Sequence, residues 1–213
     1  IFVDKLMVIK VCGMKEAENI RAVSQADIQW MGFIFYPKSA RYYTAPSIDL
    51  PERIKRIGVF VNASLEEMLR KKEHFRLDYL QLHGEESPEL CREAQASGAG
   101  IIKAIPIAKK EDLLRTERYT DCVDYFLFDT KCPGFGGSGK RFDWSLLESY
   151  QGKIPFLLSG GLAPDCLEAL KDFHHPKCMG VDLNSGFEIR PGIKDYVILN
   201  EFINRLKTKT NIL

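Results

Sequence analysis

Two side chains that can transfer protons stand at the ends of apolar segments of the chain. Cys12 ends the segment at 7–12 and is followed by Gly13, and Asp129 follows the segment at 125–128 and precedes a glycine-rich loop. In parallel α/β folds the ligand lies at the carboxyl ends of the strands, where the loops that follow them converge. A thiol and a carboxyl group so placed can both accept or donate protons, which predicts acid–base chemistry at this edge of a sheet.

The elements that would position these groups alternate regularly along the sequence. Apolar, strand-like segments lie at 7–12, 30–36, 57–61, 79–82, 101–105, 125–128, 155–158 and 179–183. Polar segments with helical spacing lie at 16–24, 64–74, 87–96, 110–118, 144–150, 164–173 and about 194–206. Continuously apolar strands are typical of parallel sheets covered on both faces. The pattern predicts a single (β/α)8 TIM barrel over residues 1–213 with its active site at the C-terminal ends of the strands, and a doubly wound open sheet is the alternative.

Composition narrows the class of protein and of partner. The chain has 213 residues, a formal net charge of +1 and 45% hydrophobic residues, which is typical of a globular domain and gives no reason to expect nucleic acid or a membrane as partner. The six cysteines show no C-x-x-C spacing, which favours a reducing, cytoplasmic location. The four histidines lack the spacing of metal ligands, so no metal is expected.

The glycine-rich loop at 133–141 contains two nucleotide-binding patterns but lacks what each needs. The G-x-x-x-x-G-K pattern requires Ser or Thr next, and Arg141 stands there. The G-x-G-x-x-G pattern lacks an acidic residue about 20 positions later. We therefore interpret this segment as a lid loop beside Asp129 that closes over a ligand. Its central residues are Gly136, Gly137, Ser138 and Gly139.

Small residues follow the seventh and eighth predicted strands and indicate a phosphate site. Gly160 and Gly161 follow the seventh strand, and Asn184, Ser185 and Gly186 follow the eighth. Small side chains let backbone N–H groups approach a phosphate, and in TIM barrels these two loops are the usual phosphate site. Two ordinary turns are the alternative interpretation.

Three further polar residues are candidates for substrate binding. Arg41, beyond the second strand, carries a planar guanidinium suited to a carboxylate, although a solvated basic loop would look the same. His83 ends the fourth strand and either lines the mouth of the barrel or is a hydrogen-bonded structural histidine. Asp182 lies within the end of the eighth strand, where a buried carboxylate requires a partner or a ligand.

Taken together, these segments resemble the phosphoribosylanthranilate isomerase family of tryptophan biosynthesis. The matching segments cover nearly the whole chain in order. They are Lys10–Gly13, Gly32–Ser39 with Arg41–Tyr42, Gly58–Asn62, Gln81–Gly84, Leu127–Asp129, Gly136–Lys140, Phe142–Trp144, Ser159–Leu162 and Val181–Gly186.

The resemblance implies an Amadori rearrangement that needs no cofactor. N-(5-phosphoribosyl)anthranilate, a small phosphorylated substrate, would become 1-(2-carboxyphenylamino)-1-deoxyribulose 5-phosphate. By this resemblance Asp129 is the general acid that protonates the furanose ring oxygen, and Cys12 is the general base that removes the C2 proton. Arg41 would hold the anthranilate carboxylate, and Asp182 would orient the substrate or support the acid.

Two other functions fit the same fold. The barrel isomerase of histidine biosynthesis runs the same chemistry on a substrate with two phosphates. In that family a pair of aspartates serves as acid and base, whereas here the first-strand position is Cys12. A catalytically silent barrel that serves as a binding module is the second alternative, and retention of both Cys12 and Asp129 argues against it. The sequence leaves open whether the protein is a monomer or a dimer.

Overall fold

Eight parallel strands form a closed barrel in which each strand pairs with the next and the eighth pairs with the first. The structure is a computed structural model and describes residues 7–130 and 143–208. The barrel strands are β1 (Val8–Val11), β2 (Trp30–Ile34), β3 (Lys55–Phe60), β4 (Tyr79–Leu82), β5 (Gly100–Ile107), β6 (Tyr125–Thr130), β7 (Phe156–Leu158) and β8 (Cys178–Leu183). The predicted (β/α)8 barrel is confirmed, and each strand overlaps the apolar segment that predicted it.

Helices connect most of the strands on the outside of the barrel. The α-helices are α1 (Ala17–Val23), α2 (Leu65–Phe75), α3 (Pro88–Ala96), α4 (Leu167–Asp172) and α5 (Tyr196–Thr208). The connections that follow β5 and β6 contain 3-10 helices, Lys110–Tyr119 and Trp144–Ser149. Across residues 7–130 and 143–208, no helix combines the length and the apolar character needed to cross a membrane.

The starts of α2 and α3 follow from their capping residues. The hydroxyl of Ser64 accepts the backbone N–H of Glu67, and the hydroxyl of Ser87 accepts that of Leu90. Pro88 occupies the first turn of α3, where its missing N–H has no cost. These contacts satisfy N–H groups that have no partner within the helix, so the chain enters each helix at a defined residue.

The lower part of the barrel interior, away from the carboxyl ends of the strands, is apolar, and the part at the carboxyl ends is polar. A compact cluster fills the lower interior, and it consists of Trp30, Ile57, Ile102, Ala104, Leu127 and Leu157. Side chains alternate along a strand, so residues two positions further on point into the same interior one layer higher. Asp129 follows Leu127 in this way, and Cys12 follows Lys10. The alternation of side chains along the strands therefore places the groups that can transfer protons in one layer at the mouth of the barrel.

A short hairpin after β8 was not predicted from the sequence. It consists of β9 (Glu188–Arg190) and β10 (Ile193–Lys194), with Gly192 at φ +88° in the turn. We expected the last helix from about residue 194, but it begins at Tyr196 because the Asp195 carboxylate accepts the N–H groups of its first turn. Lys194 consequently belongs to the hairpin and not to α5.

Candidate active site

A cavity that is open to solvent lies at the carboxyl ends of the barrel strands. Nine of the predicted site residues line it, namely Cys12, Arg41, His83, Asp129, Gly160, Gly161, Asp182, Asn184 and Ser185. Gly186 is exposed and is not among the residues that line the cavity, and a Cβ atom there would stand 2.1 Å from the backbone oxygen of Leu162. The predicted lid residues Gly136, Gly137, Ser138 and Gly139 lie outside the described residues.

Cys12 sits at the base of the cavity and is only 3% exposed. Its backbone N–H donates to the carbonyl of Leu183, which ties it to the end of β8. Gly32 on the neighbouring strand provides the space for the thiol, because a Cβ atom at that position would lie 2.7 Å from Sγ. The thiol is therefore held in a fixed position that only a small neighbour permits.

Lys10 and Asp182 form a buried ion pair beside this thiol. The Lys10 Nζ lies 2.8 Å from Asp182 Oδ1, and the side chains are 0% and 6% exposed. The hydroxyl of Ser159 donates to the other oxygen of Asp182 at 3.4 Å. The partner that the buried carboxylate was expected to need is thus Lys10, from the strand that pairs with β8 in the barrel.

The charges around Cys12 act against one another. Burial raises the pKa of the Cys12 thiol, the positive charge of Lys10 opposes the rise, and the carboxylate of Asp182 adds to it. Burial alone would lower the pKa of Lys10, but the charges of Asp182 and Cys12 outweigh it and raise that pKa, so the lysine stays protonated. A cation is therefore permanently available to stabilise a thiolate at position 12.

Asp129 stands across the cavity mouth with His83 as its neighbour. One carboxylate oxygen accepts the backbone N–H of Thr130 at 2.8 Å, and the other lies 3.3 Å from His83 Nε2. The Gln81 amide nitrogen lies 3.0 Å from His83 Nδ1. When that amide donates to Nδ1, the hydrogen on Nε2 is directed at Asp129.

His83 combines the two interpretations left open by the sequence, because it lines the cavity and is also held by hydrogen bonds. Gln81 was not predicted as a site residue. A glutamine within the apolar run at 79–82 was the available signal, since a buried amide needs partners. Its Oε1 is buried and has no hydrogen-bond partner in the described part of the chain.

A second buried ion pair supports the turn that carries His83. Lys103 Nζ donates to the carbonyls of Leu82 and Gly84, at 3.1 and 2.7 Å, and pairs with Glu86 at 3.0 Å. Glu86 in turn accepts the backbone N–H of Gly84. Both carbonyls that flank His83 along the chain are therefore fixed by one buried ammonium group.

Arg41 is not a solvated loop residue, because its guanidinium pairs with Glu188 of the hairpin. Nε lies 2.9 and 3.0 Å from the two carboxylate oxygens, and Nη2 lies 2.6 Å from one of them. The hydrogen bonds to Glu188 raise the pKa of Arg41. Burial alone would raise the pKa of Glu188, but Arg41 and Lys194 outweigh it and hold that pKa below its ordinary value. Glu188 and Lys194 were missed because a hairpin of two- and three-residue strands leaves little periodicity to read.

The two predicted phosphate loops have backbone conformations that suit close approach. Gly160 and Gly161 have φ values of +88° and +67°, a region that favours glycine. A Cβ atom on Gly160 would lie 2.5 Å from the Thr130 nitrogen and 2.7 Å from Asp129 Oδ1. Ser185 begins a three-residue 3-10 helix directly after Asn184. The first loop therefore packs against Asp129 itself.

The described residues contain no cluster of three or more His, Cys, Asp or Glu side chains arranged to hold a metal ion. The groups that the cavity does present are a thiol, a carboxylate and an imidazole, together with an arginine and backbone N–H groups. Such a set can transfer protons and bind anions, which is the chemistry required to isomerise a phosphorylated, carboxylated substrate.

Comparison with known proteins assigns the family. The family model described as N-(5'phosphoribosyl)anthranilate (PRA) isomerase matches residues 9–205. The N-(5'-phosphoribosyl)anthranilate isomerase of Phocaeicola vulgatus is 55% identical over 95% of this chain and 99% of its own. The crystal structure of phosphoribosyl anthranilate isomerase from Thermotoga maritima superposes with a TM-score of 0.85 at 37% identity and covers 95% of this chain and 99% of that one.

A further solved structure of phosphoribosyl anthranilate isomerase is a complex with reduced 1-(o-carboxyphenylamino)-1-deoxyribulose 5-phosphate. It is 34% identical, has a TM-score of 0.81 and covers 95% of this chain and 99% of that one. The resemblance inferred from short motifs is thus confirmed over almost the full length of the chain. The chain belongs to the N-(5'-phosphoribosyl)anthranilate isomerase family, whose aldose–ketose isomerisation is a step of tryptophan biosynthesis.

Proposed function

We propose that Cys12 and Asp129 carry out the two proton transfers of phosphoribosylanthranilate isomerisation, Asp129 as general acid and Cys12 as general base. The observation that carries this proposal is that both side chains line the same cavity at the mouth of the barrel. They come from strands on different sides of the barrel, β1 and β6, so a sugar can lie between them.

Asp129 acts first in this scheme. It donates a proton to the furanose ring oxygen as the bond between that oxygen and C1 breaks and the anilino nitrogen forms a Schiff base with C1. Its side chain is 16% exposed at the mouth, and His83 lies 3.3 Å away on the side opposite to the Thr130 N–H. The contact with His83 Nε2 holds the Asp129 carboxyl group at the mouth of the cavity, and the proton that Asp129 donates is replaced from solvent.

Cys12 acts second. Its thiolate removes the proton from C2 of the opened sugar, the electron pair moves into the C1–C2 bond, and the resulting enolamine relaxes to the ketone. The Lys10 ammonium supports this role because it opposes the rise that burial causes in the pKa of the thiol. Each positioned acid or base typically contributes about 10²–10⁴-fold in rate.

The two charged ends of the substrate would be bound on either side of these groups. Arg41 is proposed to bind the anthranilate carboxylate, and Asp182 to act mainly through Lys10. The loop of Gly160 and Gly161 and the loop of 184–186 are proposed to bind the phosphate. Support comes from the positive φ values of both glycines and from the relative that binds a phosphorylated product analogue. Holding both ends lowers the entropy cost of orienting the sugar.

Several broader expectations belong to the same proposal. We propose that residues 1–213 form one barrel domain and that the reaction needs no metal or cofactor. A cytoplasmic location is supported by the free, buried thiols of Cys91 and Cys122, which persist in a reducing compartment.

Turnover of phosphoribosylanthranilate by Cys12→Ser and Asp129→Asn tests the assignment. We expect kcat to fall by about 10²–10⁴-fold in each variant, while affinity for the reduced product analogue changes little. Arg190→Gln is a matched control, because Arg190 lies on the outer surface of the hairpin and binds only the exposed Glu16 among the contacts described. Near-normal kcat in either catalytic variant would remove that residue from the mechanism.

A further inference from the structure

We propose that the β9–β10 hairpin is a positioning device for both ends of the substrate, with Glu188 orienting Arg41 and Lys194 orienting Asn184. This inference rests on the proposed function, because it takes Arg41 as the site of the carboxylate and Asn184 as part of the phosphate site. Glu188 and Lys194 are positioning residues in this scheme, since each acts through a cavity-lining neighbour.

The contact between Glu188 and Arg41 leaves one edge of the guanidinium available for a ligand. A guanidinium has five N–H donors in a planar fork. Glu188 is bound through Nε and Nη2, at 2.6–3.0 Å, so both N–H groups on Nη1 and one on Nη2 are not used by it. These donors form a second fork of the kind that binds a carboxylate with two parallel hydrogen bonds. Glu188 thereby fixes the plane in which Arg41 presents that fork.

Lys194 holds Asn184 in an equally defined orientation. Its Nζ donates to Asn184 Oδ1 at 2.8 Å and to Glu188 Oε1 at 2.7 Å. Because the lysine occupies the carbonyl oxygen of the amide, the Asn184 NH₂ group is directed away from Lys194. Asn184 lines the cavity, so its amide nitrogen can serve as a donor to a phosphate oxygen.

Burial and hydrogen bonds hold the hairpin in place. Lys194 is fully buried and Glu188 is 4% exposed. The side chain of Asn19 on α1 makes two hydrogen bonds of 2.8 Å with the backbone of Lys194, and the Gly192 N–H donates to Glu188 at 3.0 Å. One buried chain of contacts thus runs from α1 through the hairpin to both binding residues.

Charge makes this group selective for an anion. Arg41 and Lys194 each carry one positive charge and Glu188 one negative charge, so the three together carry +1. A substrate carboxylate completes the balance, whereas a neutral phenyl ring in its place leaves the cation of Arg41 without a ligand partner. We therefore expect Glu188 to contribute to discrimination in favour of a carboxylated aromatic ring.

Binding of two ligands by the full chain tests the proposal. One is the reduced carboxyphenylamino-deoxyribulose phosphate, and the other is the same compound with a phenyl ring that lacks the carboxylate. Glu188→Gln should weaken binding of the carboxylated ligand by roughly 10- to 100-fold, the cost of a small misplacement, and leave the phenyl ligand unaffected. If Glu188→Gln does not fold, Arg41→Lys takes its place in the test. It keeps the positive charge but loses the planar fork, so it should lose the same preference for the carboxylated ligand.

Lys194→Met should weaken binding of both ligands, because Lys194 holds Asn184 at the phosphate end of the site. If Lys194→Met does not fold, Asn184→Ala should weaken binding of both ligands in the same way. Arg190→Gln on the same hairpin should bind both ligands as the parent does. Unchanged or tighter binding of the carboxylated ligand by Glu188→Gln, or equal losses for both ligands, would overturn the role of Glu188. Unchanged binding in Lys194→Met would overturn that of Lys194. These ratios do not depend on turnover, so retained activity in Cys12→Ser or Asp129→Asn would refute the proposed function separately.

Discussion

Replacing either member of the Lys10–Asp182 pair should move the ascending limb of the pH–rate profile, and the two replacements should move it in opposite directions. In the parent, the Cys12 thiol has a pKa raised by burial, so kcat/KM should rise with pH above neutrality as the thiolate forms. Lys10→Met removes the opposing cation and should raise that pKa further. Asp182→Asn removes an anion that adds to the rise and should lower it.

The size of the effect follows from the geometry. An opposite charge within a few ångströms of an ionisable group shifts its pKa by roughly one to three units. Loss of Lys10 should therefore reduce kcat/KM by roughly 10- to 1,000-fold at a pH below the limb, with recovery at higher pH. The single variant also leaves the Asp182 carboxylate buried without its cation, which typically costs about 3–5 kcal/mol of unfolding free energy.

The assay is kcat/KM followed by loss of substrate fluorescence from about pH 6 to about pH 10, which spans the thiol range. Urea unfolding of the single variants and of Lys10→Met/Asp182→Asn measures the coupling, and the double variant should lose less than the sum of the single losses. A purely structural pair would lower kcat/KM evenly at all pH values. An unmoved limb in both variants, or shifts in the same direction, would refute the reasoning.

Three further predictions concern the supporting structure. Gly160→Ala should lower kcat at least about tenfold and destabilise the fold by about 1–2 kcal/mol, because the new Cβ meets Asp129 and φ is +88°; steady-state kinetics and urea unfolding measure both. Lys103→Met should cost about 3–5 kcal/mol in urea unfolding because Glu86 loses its buried cation, and Lys103→Met/Glu86→Gln should cost less. Because the pKa of Glu188 is lowered in the folded protein, the ionised carboxylate stabilises the fold fully above about pH 4.5, and this contribution is lost as the pH falls through the folded pKa. The difference in unfolding free energy between the parent and Glu188→Gln should therefore shrink in acid. An equal difference at neutral and acid pH would contradict this.

The sequence was sufficient to predict the barrel and nine of the residues that line the cavity at its mouth. Strand-like apolar runs are local features, and Cys12 and Asp129 are visible because each stands where such a run ends. Once eight runs imply a closed parallel barrel, every strand end must face the same cavity. That is why residues from distant parts of the chain could be grouped without coordinates.

The partners of these residues could not be predicted in the same way. Lys10 and Asp182 are 172 positions apart, and Arg41 and Glu188 are 147 positions apart. Such pairs depend on the register of barrel closure and on a hairpin too short to have a periodic pattern. Side-chain alternation along β1 places Lys10 and Cys12 on the same side of the strand, but it does not reveal the carboxylate that pairs with Lys10.

The measurement that tests the central claim most directly is the kinetic isotope effect with substrate deuterated at C2. If Cys12 removes the C2 proton, Cys12→Ser should make that step limiting and increase the isotope effect on kcat over that of the parent. If Asp129 acts in ring opening, Asp129→Asn should make an earlier step limiting and reduce the isotope effect towards one. The opposite pattern would exchange the two roles, and equal isotope effects in both variants would contradict the assignment of separate steps to the thiol and the carboxyl group.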